Sequence, residues 1–194
     1  MIEHKYESIT GFLNYTPFYK EAVEKAKDGD LLVEIGCFLG KSTSFMATEI
    51  ANSGKELTFH TMDLWEYDCY SQPEKDWFNG SPEKQLYHTP LGCFVANIDN
   101  VKEYVTSFRG DSKKIVENYE DDSIDFLFID GDHSSEGFKK DLELWYPKVK
   151  HGGVFSGHDF DHPDIRFRVK EFFKEPIEEL DQYQPWTLWR IIKK

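Results

Sequence analysis

The sequence lacks any long hydrophobic run. It contains no stretch of about 18 consecutive apolar residues, the length that a membrane-spanning helix requires. The first ten residues, MIEHKYESIT, mix both charges and contain no apolar core of a signal peptide. We therefore expect a soluble, cytoplasmic protein that does not bind membranes.

Cysteine is also scarce. The chain has three cysteines, Cys37, Cys69 and Cys93, and none of them forms a C-x-x-C pair. An odd number without that spacing predicts neither a disulfide framework nor a zinc site made of thiolates. We expect three reduced thiols that pack inside the fold.

Basic residues are too few to balance the acidic ones. Lys and Arg total 23 against 36 Asp and Glu, which gives a net charge of −13. A field of that sign repels nucleic-acid phosphates and anionic lipid headgroups. The charge therefore disfavours both as partners, and a small molecule is the expected ligand.

Enough apolar material is present for one folded domain. Of the 194 residues, 39% are hydrophobic and 16% aromatic, which is well above the level of disordered chains. The length is typical of one domain rather than two. We expect a single domain over residues 1–194.

Apolar periodicity predicts an alternation of strands and helices. The predicted strands are Leu31–Ile35, Thr58–Met62, Val105–Arg109, Ile124–Ile129, Val154–Ser156 and Thr187–Ile192. The predicted helices are Tyr15–Ala26, one from about Ser42, Pro90–Asn97, Ser112–Tyr119, Glu136–Tyr146 and Asp164–Lys174. Such an alternation is typical of an α/β fold with a mostly parallel sheet, in which ligands bind at the carboxyl ends of the strands.

A glycine turn follows the first predicted strand. Gly36 and Gly40 stand where the strand becomes a helix, and a ligand approaches the backbone closely only where no Cβ intervenes. Three residues separate these glycines, whereas a P-loop requires four, and Phe38 stands where the dinucleotide fingerprint requires glycine. An acidic residue before the turn, Glu34, suits a cationic or zwitterionic ligand. A plain strand-to-helix turn is the alternative.

Acidic residues also follow the next two strands. Asp63 lies 23 positions after Gly40, close to the offset of about 20 residues at which an acidic residue binds ribose hydroxyls. Asp111 and Ser112 follow the third strand, where they either reach an adenine amine or cap the next helix. The spacing fits an adenosine-containing ligand, and helix capping is the alternative for Asp63 as well.

Five short motifs occur in order along the chain: Glu34-Ile-Gly36-x-x-x-Gly40-x-Ser42-Thr43, Asp63, Gly110-Asp111-Ser112, Ile129-Asp130-Gly131-Asp132-His133 and Gly152-Gly153. Together they resemble class I S-adenosylmethionine-dependent methyltransferases, in particular the branch that contains macrocin O-methyltransferase and the cephalosporin-hydroxylase-like proteins. The resemblance covers about 31–160 and the closing strand at 187–192.

The resemblance implies a Rossmann-like fold with a seven-stranded, mostly parallel sheet and S-adenosyl-L-methionine as the cofactor. The turn would line the methionine part, Asp63 would bind the ribose and Asp111 would lie at the adenine end. The cofactor-binding residues would be Glu34, Gly36, Cys37, Phe38, Gly40, Ser42, Asp63, Asp111 and Ser112.

A second polar group follows the fourth and fifth predicted strands, whose ends should lie side by side. In the resembling family a strand-four Asp and an acidic or amide pair after strand five hold magnesium. Asp130 and Asp159 match that pattern, whereas His158 replaces the first member of the pair. Imidazole suits Zn²⁺, Fe²⁺ or Mn²⁺ better than Mg²⁺. We predict a divalent-metal site of Asp130, His158 and Asp159, with purely structural roles for these residues as the alternative.

His133 and Asp130 are the predicted catalytic residues. A neutral imidazole with a pKa of about 6.5 can accept a hydroxyl proton at neutral pH, which makes His133 the expected general base. Asp130 would hold the metal that binds the acceptor oxygen. A hydrogen-bonded structural histidine is the alternative for His133.

The stretch 65–87 is aromatic and shows no clean periodicity. Long irregular segments in small domains are typical of lids and partner surfaces. We expect a lid-like insertion over the acceptor, and a surface insertion or a homodimer contact is the alternative. Its aromatic residues are Trp65, Tyr67, Tyr70, Trp77, Phe78 and Tyr87.

The sequence therefore predicts an S-adenosylmethionine-dependent O-methyltransferase that acts on a hydroxyl of a small sugar or natural-product acceptor, with help from a metal. Two other functions stay open. One is a metal-dependent enzyme that does not use S-adenosylmethionine, and the other is a catalytically silent module that binds this cofactor.

Overall fold

The computed structural model describes residues 1–174, 176–182 and 187–194. Within these ranges seven strands form one sheet. The strands are β1 Leu31–Ile35, β2 Thr58–Asp63, β3 Thr106–Arg109, β4 Ile124–Ile129, β5 Val149–Gly157, β6 Glu178–Leu180 and β7 Leu188–Ile192. Their order is β3-β2-β1-β4-β5-β7-β6, with β7 antiparallel to both neighbours and every other pair parallel. The predicted Rossmann-like, seven-stranded architecture is confirmed.

Helices cover both faces of this sheet. They are α1 Thr16–Lys25, α2 Lys41–Ser53, α3 Gln72–Gly80, α4 Pro82–Tyr87, α5 Pro90–Asn97, α6 Ser112–Ile115, α7 Ser135–Trp145 and α8 Pro163–Phe172. One hydrophobic cluster joins the sheet to α1, α2 and α5, and a second joins it to α7 and α8. Among the described residues, no helix is both long enough and apolar enough to cross a bilayer.

Strand β4 shows why the sheet is covered on both sides. Successive side chains of a strand point to opposite faces. Phe126 and Phe128 pack in the cluster with α1 and α2, whereas Leu127 and Ile129 pack in the cluster with α7 and α8. All four are at most 5% exposed, and each buried side chain of this kind contributes about 1.5–3 kcal/mol. The unbroken apolar run is therefore explained by burial on two faces.

The prediction of an irregular stretch at 65–87 is wrong. Helices α3 and α4 occupy most of it, and a Ser precedes each of them as an N-cap. Ser71 and Glu74 form a capping box, and the Ser81 hydroxyl accepts a hydrogen bond from the Lys84 N–H. These caps, each followed by a proline in the first turn, were the available sequence signal.

Three smaller expectations also need correction. The predicted strand Val154–Ser156 is too short, because β5 begins at Val149 and runs through Gly152 and Gly153, and its register against β4 shifts in this region. Strand β6 was missed, since three residues carry too little pattern to be recognised. Cys37 and Cys93 are buried as expected, but Cys69 is exposed.

Candidate functional site

A cavity of about 680 Å³ opens at the carboxyl ends of five neighbouring strands. Cavities of about 300–1,000 Å³ are typical of small-molecule sites. Strands β1 to β3 are added toward one edge of the sheet, and β4 and β5 are added toward the other, so the strand order reverses between β1 and β4. Ligands bind at this point in open parallel sheets. Each of these strands contributes one residue at its carboxyl end to the cavity wall, namely Gly36, Asp63, Gly110, Asp130 and His158.

The glycines of the β1–α2 turn are required by the fold itself. Gly36 has a φ of +83°, and a Cβ there would lie 2.0 Å from the carbonyl oxygen of Asp130. Gly40 has a φ of +87°, and a Cβ there would lie 2.9 Å from the Phe94 ring. Gly36 lines the cavity, but Gly40 does not. Gly40 lets the turn pack against Phe94, and its predicted cofactor contact stays a prediction.

Glu34 also lies outside the cavity wall, beneath the turn. It is 1% exposed, and burial raises the pKa of its carboxyl group while neighbouring hydroxyls act against that rise. Tyr19 donates to Oε1 at 2.9 Å, and Thr43 and Thr61 donate to Oε2 at 2.5 Å and 3.1 Å. Glu34 therefore supports the turn from beneath through these three hydroxyl groups, and its predicted role toward a cationic ligand stays a prediction.

The Asp63 carboxylate accepts four hydrogen bonds from the chain. Its Oδ2 accepts from the N–H groups of Cys37 at 3.1 Å and Phe38 at 2.9 Å. Its Oδ1 accepts from the Trp65 N–H at 2.8 Å and the Tyr70 hydroxyl at 3.3 Å. Two carboxylate oxygens offer about four lone-pair sites, so all are in use. Asp63 fixes the turn, and a ribose contact requires one donor to leave.

Asp111 and Ser112 both cap a helix and line the cavity. The Asp111 carboxylate accepts a hydrogen bond from the Lys113 N–H at 3.0 Å, which is the N-cap contact of α6. The Ser112 hydroxyl donates to Asp141 Oδ1 at 2.7 Å. Since both residues belong to the cavity wall, the two alternatives left open by the sequence are compatible.

Four predicted residues meet at the ends of β4 and β5. His133 Nε2 lies 2.7 Å from Asp159 Oδ2 and 3.5 Å from Asp130 Oδ1. His158 Nδ1 lies 3.1 Å from Asp159 Oδ1 and 3.6 Å from Asp130 Oδ1. One donor atom from each of Asp130, His133 and Asp159 lies within 4.8 Å of the other two. This group combines His133 with the two predicted carboxylates, and the ligand role of His158 stays a prediction.

The two carboxylates hold protons on these histidines. Burial lowers the pKa of His133, but the hydrogen bonds and charges of Asp130 and Asp159 outweigh it and raise that pKa to about 10. The pKa of His158 is raised in the same way against burial. An imidazolium has no free lone pair. The expectation of a neutral His133 at neutral pH is therefore wrong for this arrangement.

Tyr15 belongs to the site and was missed by the sequence analysis. It is buried in the cavity wall, its hydroxyl donates to Asp130 Oδ2 at 3.4 Å, and its ring lies 5.2 Å from the His158 ring. Burial raises the pKa of Tyr15 well above its usual value. Periodicity assigned Tyr15 only to the start of a helix, and no local motif indicates its contact with β4.

Residues of the insertion border the cavity, as a lid requires. Tyr70 and Trp77 line it, and their rings lie 5.1 Å and 6.5 Å from the ring of Phe38 in the turn. On the far side of the insertion, Glu83 accepts two hydrogen bonds from Thr10, both at 3.1 Å. The insertion is thus joined to the segment before α1, and together they border the opening.

Comparison with known proteins identifies the family. Residues 33–160 match a family described as a methyltransferase domain. The match covers more than half of the chain, so the chain belongs to this methyltransferase family. The predicted class, an S-adenosylmethionine-dependent methyltransferase of class I, is confirmed at the level of the family.

Individual relatives are distant. The chain is 24% identical over 172 residues to the uncharacterized protein y4gI of Sinorhizobium fredii (strain NBRC 101917 / NGR234), which covers 89% of this chain and 18% of that protein. It therefore spans less than a fifth of that relative's length. The O-methyltransferase NovP superposes with a TM-score of 0.66 at 20% identity, over 93% of this chain and 80% of NovP. The O-methyltransferase from Bacillus cereus in complex with SAH gives 0.60 at 16% identity, over 99% and 84%. These structural similarities show the fold.

Proposed function

We propose that the chain binds S-adenosyl-L-methionine in the cavity and transfers its methyl group to a hydroxyl of a small acceptor. The observation that carries this proposal is the composition of the wall at the strand ends. The backbone turn at Gly36 to Phe38 lies on one side, and the cluster of Asp130, His133 and Asp159 lies on the other. The side with the turn suits a nucleoside, and the side with the cluster suits a polar acceptor. A methyltransferase requires both, and the chain belongs to a methyltransferase family.

The nucleoside would lie between β1 and β3. Its ribose would reach Asp63 by taking the position of the Tyr70 hydroxyl, whose 3.3 Å contact is the longest of the four at that carboxylate. Its adenine would lie against Asp111 and Ser112. Cys37, Phe38 and Ser42 complete the cofactor contacts, since all three line the cavity.

The donor set at β4 and β5 fits a divalent cation. Two carboxylates and one imidazole, from Asp130, Asp159 and His133, leave coordination positions for water and for an acceptor oxygen. A mixed oxygen and nitrogen set suits Mn²⁺, Fe²⁺ or Zn²⁺ better than Mg²⁺. When bound, such an ion lowers the pKa of a coordinated hydroxyl. Metal assistance is therefore part of the proposal.

The chain itself supplies alignment and exclusion of water. Methyl transfer is a displacement that requires the acceptor oxygen, the methyl carbon and the sulfur in line. Phe12, whose ring lies 5.9 Å from the His158 ring, gives the acceptor side an apolar surface. Tyr70 and Trp77 line the cavity beside Phe38, on the cofactor side.

Asp130 and Asp159 raise the pKa of His133 to about 10, so His133 would have to lose its proton to serve as the imidazole ligand of a cation. As a ligand it would have no lone pair left for the acceptor's proton, which would leave to water or to a carboxylate instead.

Titration calorimetry and methyl transfer from labelled cofactor test the proposal. We expect saturable binding of S-adenosylmethionine and S-adenosylhomocysteine, and label transfer to at least one member of a panel of hydroxylated sugars and natural products. Turnover that needs metal but no S-adenosylmethionine would show the metal-dependent alternative instead. Cofactor binding without transfer to any acceptor, with Mn²⁺, Fe²⁺, Zn²⁺ or Mg²⁺ present, would show a silent module.

A further inference from the structure

Asp141 is a buried carboxylate outside the cluster at β4 and β5. It lies on α7, is 0% exposed, and faces the first turn of α6. Its Oδ1 accepts the Ser112 hydroxyl at 2.7 Å, whereas its Oδ2 has no hydrogen-bond partner among the described residues. The nearest cation is Lys113, whose Nζ lies 3.6 Å from Oδ2 and 3.1 Å from Asp132. A buried, partly satisfied carboxylate is costly, so its position calls for an explanation.

The contact between Asp141 and Ser112 determines where a proton points. An ionised carboxylate can only accept hydrogen bonds, so the Ser112 hydroxyl must be the donor. A serine hydroxyl has one proton, and the remaining capacity of its oxygen is two acceptor lone pairs. Ser112 Oγ therefore offers acceptors to the cavity. The neighbouring carboxylate of Asp111 is an acceptor as well.

Lys113 also lies at this end of the cavity, but it does not offer a hydrogen-bond donor to the ligand. Lys113 lines the cavity, but its ammonium group is turned toward Asp132 and Asp141. At the end of β3, the side chains of Asp111 and Ser112 are therefore the polar groups left to contact a base edge. Both present acceptors to it.

We propose that Asp141, by taking the hydroxyl proton of Ser112, makes this end of the cavity select an adenine over a 6-oxopurine. The 6-amino group of adenine is a donor and pairs with these acceptors. A 6-oxo group is an acceptor, so neither it nor the acceptors of the site would find a donor. A site built to accept from a donor therefore binds such a ligand much more weakly. The inference rests on the proposed function, and Asp141 acts in it as a positioning residue.

Asp141→Asn reverses this arrangement with little change in shape. The amide oxygen would turn toward the Lys113 ammonium, because the amide NH₂ group would repel it. The NH₂ group would then donate to Ser112 Oγ and release the serine proton toward the cavity. A donor would thus replace an acceptor beside the base. Ser112→Ala removes the same acceptor and keeps the charge at Asp141, although it also removes the hydrogen bond that Asp141 Oδ1 accepts.

The test compares two ligands that differ at this position, S-adenosylhomocysteine and S-inosylhomocysteine, by titration calorimetry. We expect the wild type to prefer the adenosyl ligand by about tenfold or more, the factor for one mispaired buried hydrogen bond. Asp141→Asn and Ser112→Ala should each lower the ratio toward one, since only the Asp111 carboxylate then offers an acceptor, and the double variant should add little. Asp125→Asn is the matched control, because it loses the 2.7 Å ion pair with Lys150 far from the cavity and should keep the wild-type ratio.

Each outcome decides the matter. If Asp141→Asn weakens both ligands equally, Asp141 only stabilises α6 and the inference is overturned. If Asp141→Asn does not fold, Ser112→Ala decides alone, and an unchanged ratio in that variant overturns the inference. If the wild type binds neither ligand, the proposed cofactor is wrong and the inference falls with it. Binding of both ligands with equal affinity by the wild type overturns the selectivity alone and leaves the proposed function standing.

Discussion

The two halves of the cavity differ in how their charged groups are satisfied. On the side of β1 and β2, Asp63 accepts four hydrogen bonds and Glu34 accepts hydroxyl donors at both oxygens, so the chain alone completes these groups. On the side of β4 and β5, the buried Nε2 of His158 has no partner among the described residues. A buried polar atom without a partner is rare in native structures, and a ligand that completes it is one explanation. The charged groups of the first half already have their hydrogen-bond partners, whereas the second half has unused bonding capacity for a ligand.

Gly36 tests whether the first half is held together by its own packing. Gly36→Ala places a Cβ about 2.0 Å from the Asp130 carbonyl oxygen, and we expect a loss of more than about 4 kcal/mol in the free energy of unfolding. Gly54→Ala is the matched control, since Gly54 also has a positive φ of +70° but nothing lies within 4 Å of its Cβ position. Backbone strain alone should cost the control about 1–3 kcal/mol. Equal urea midpoints for the two variants would contradict the role of packing.

Asp159 tests whether the second half is a metal site. We expect Asp159→Asn to weaken Mn²⁺ binding by more than the 10–100-fold typical of a lost outer partner, because a charged ligand is removed. Calorimetry with Mn²⁺ measures the loss. Asp164→Asn is the control, because this exposed residue in the first turn of α8 lies outside the candidate metal group. Undiminished Mn²⁺ binding by Asp159→Asn, or full turnover in a chelator, would remove the metal from the proposal.

His133 tests whether its ion pairs with Asp130 and Asp159 stabilise the metal-free protein. Its folded pKa, about 10, lies above the usual 6.5 of an unfolded chain. The pairing with Asp130 and Asp159 therefore stabilises the fold fully below pH 6.5 and is lost as the pH rises toward 10. In metal-free buffer, we expect the thermal midpoint of the wild type to fall over this window and that of His133→Gln to fall less. His151→Gln at the surface should follow the wild type, and parallel curves for all three would exclude the pairing.

Most of the fold was predictable because burial on two faces leaves a strong pattern. The run Ile124–Ile129 coincides with β4, and Pro90–Asn97 coincides with α5. The site was predictable only as far as strand ends determine it, which brought Asp130, His133 and Asp159 to one place. Side-chain partners are set by packing between distant segments, so the sequence could not show that Asp63 is saturated. For the same reason it could not show that Tyr15 reaches Asp130.

Tyr70 tests whether a cofactor has to displace a donor at Asp63. If the first half is complete without a cofactor, the ribose must displace a donor, and the Tyr70 hydroxyl is the one held most weakly at Asp63. Tyr70→Phe removes that competitor and keeps the ring against Phe38. We expect it to tighten S-adenosylhomocysteine binding by about 2–10-fold, the range of one net hydrogen bond.

Tyr67→Phe is the matched control, because its hydroxyl accepts a hydrogen bond from Asn79 at 2.7 Å and Tyr67 lies outside the cavity wall. This variant should bind like the wild type in the same calorimetric titration. Weaker binding by Tyr70→Phe would mean that the Tyr70 hydroxyl contacts the cofactor directly. In that case Asp63 keeps all four of its partners when the cofactor is bound, and its role is confined to holding the turn.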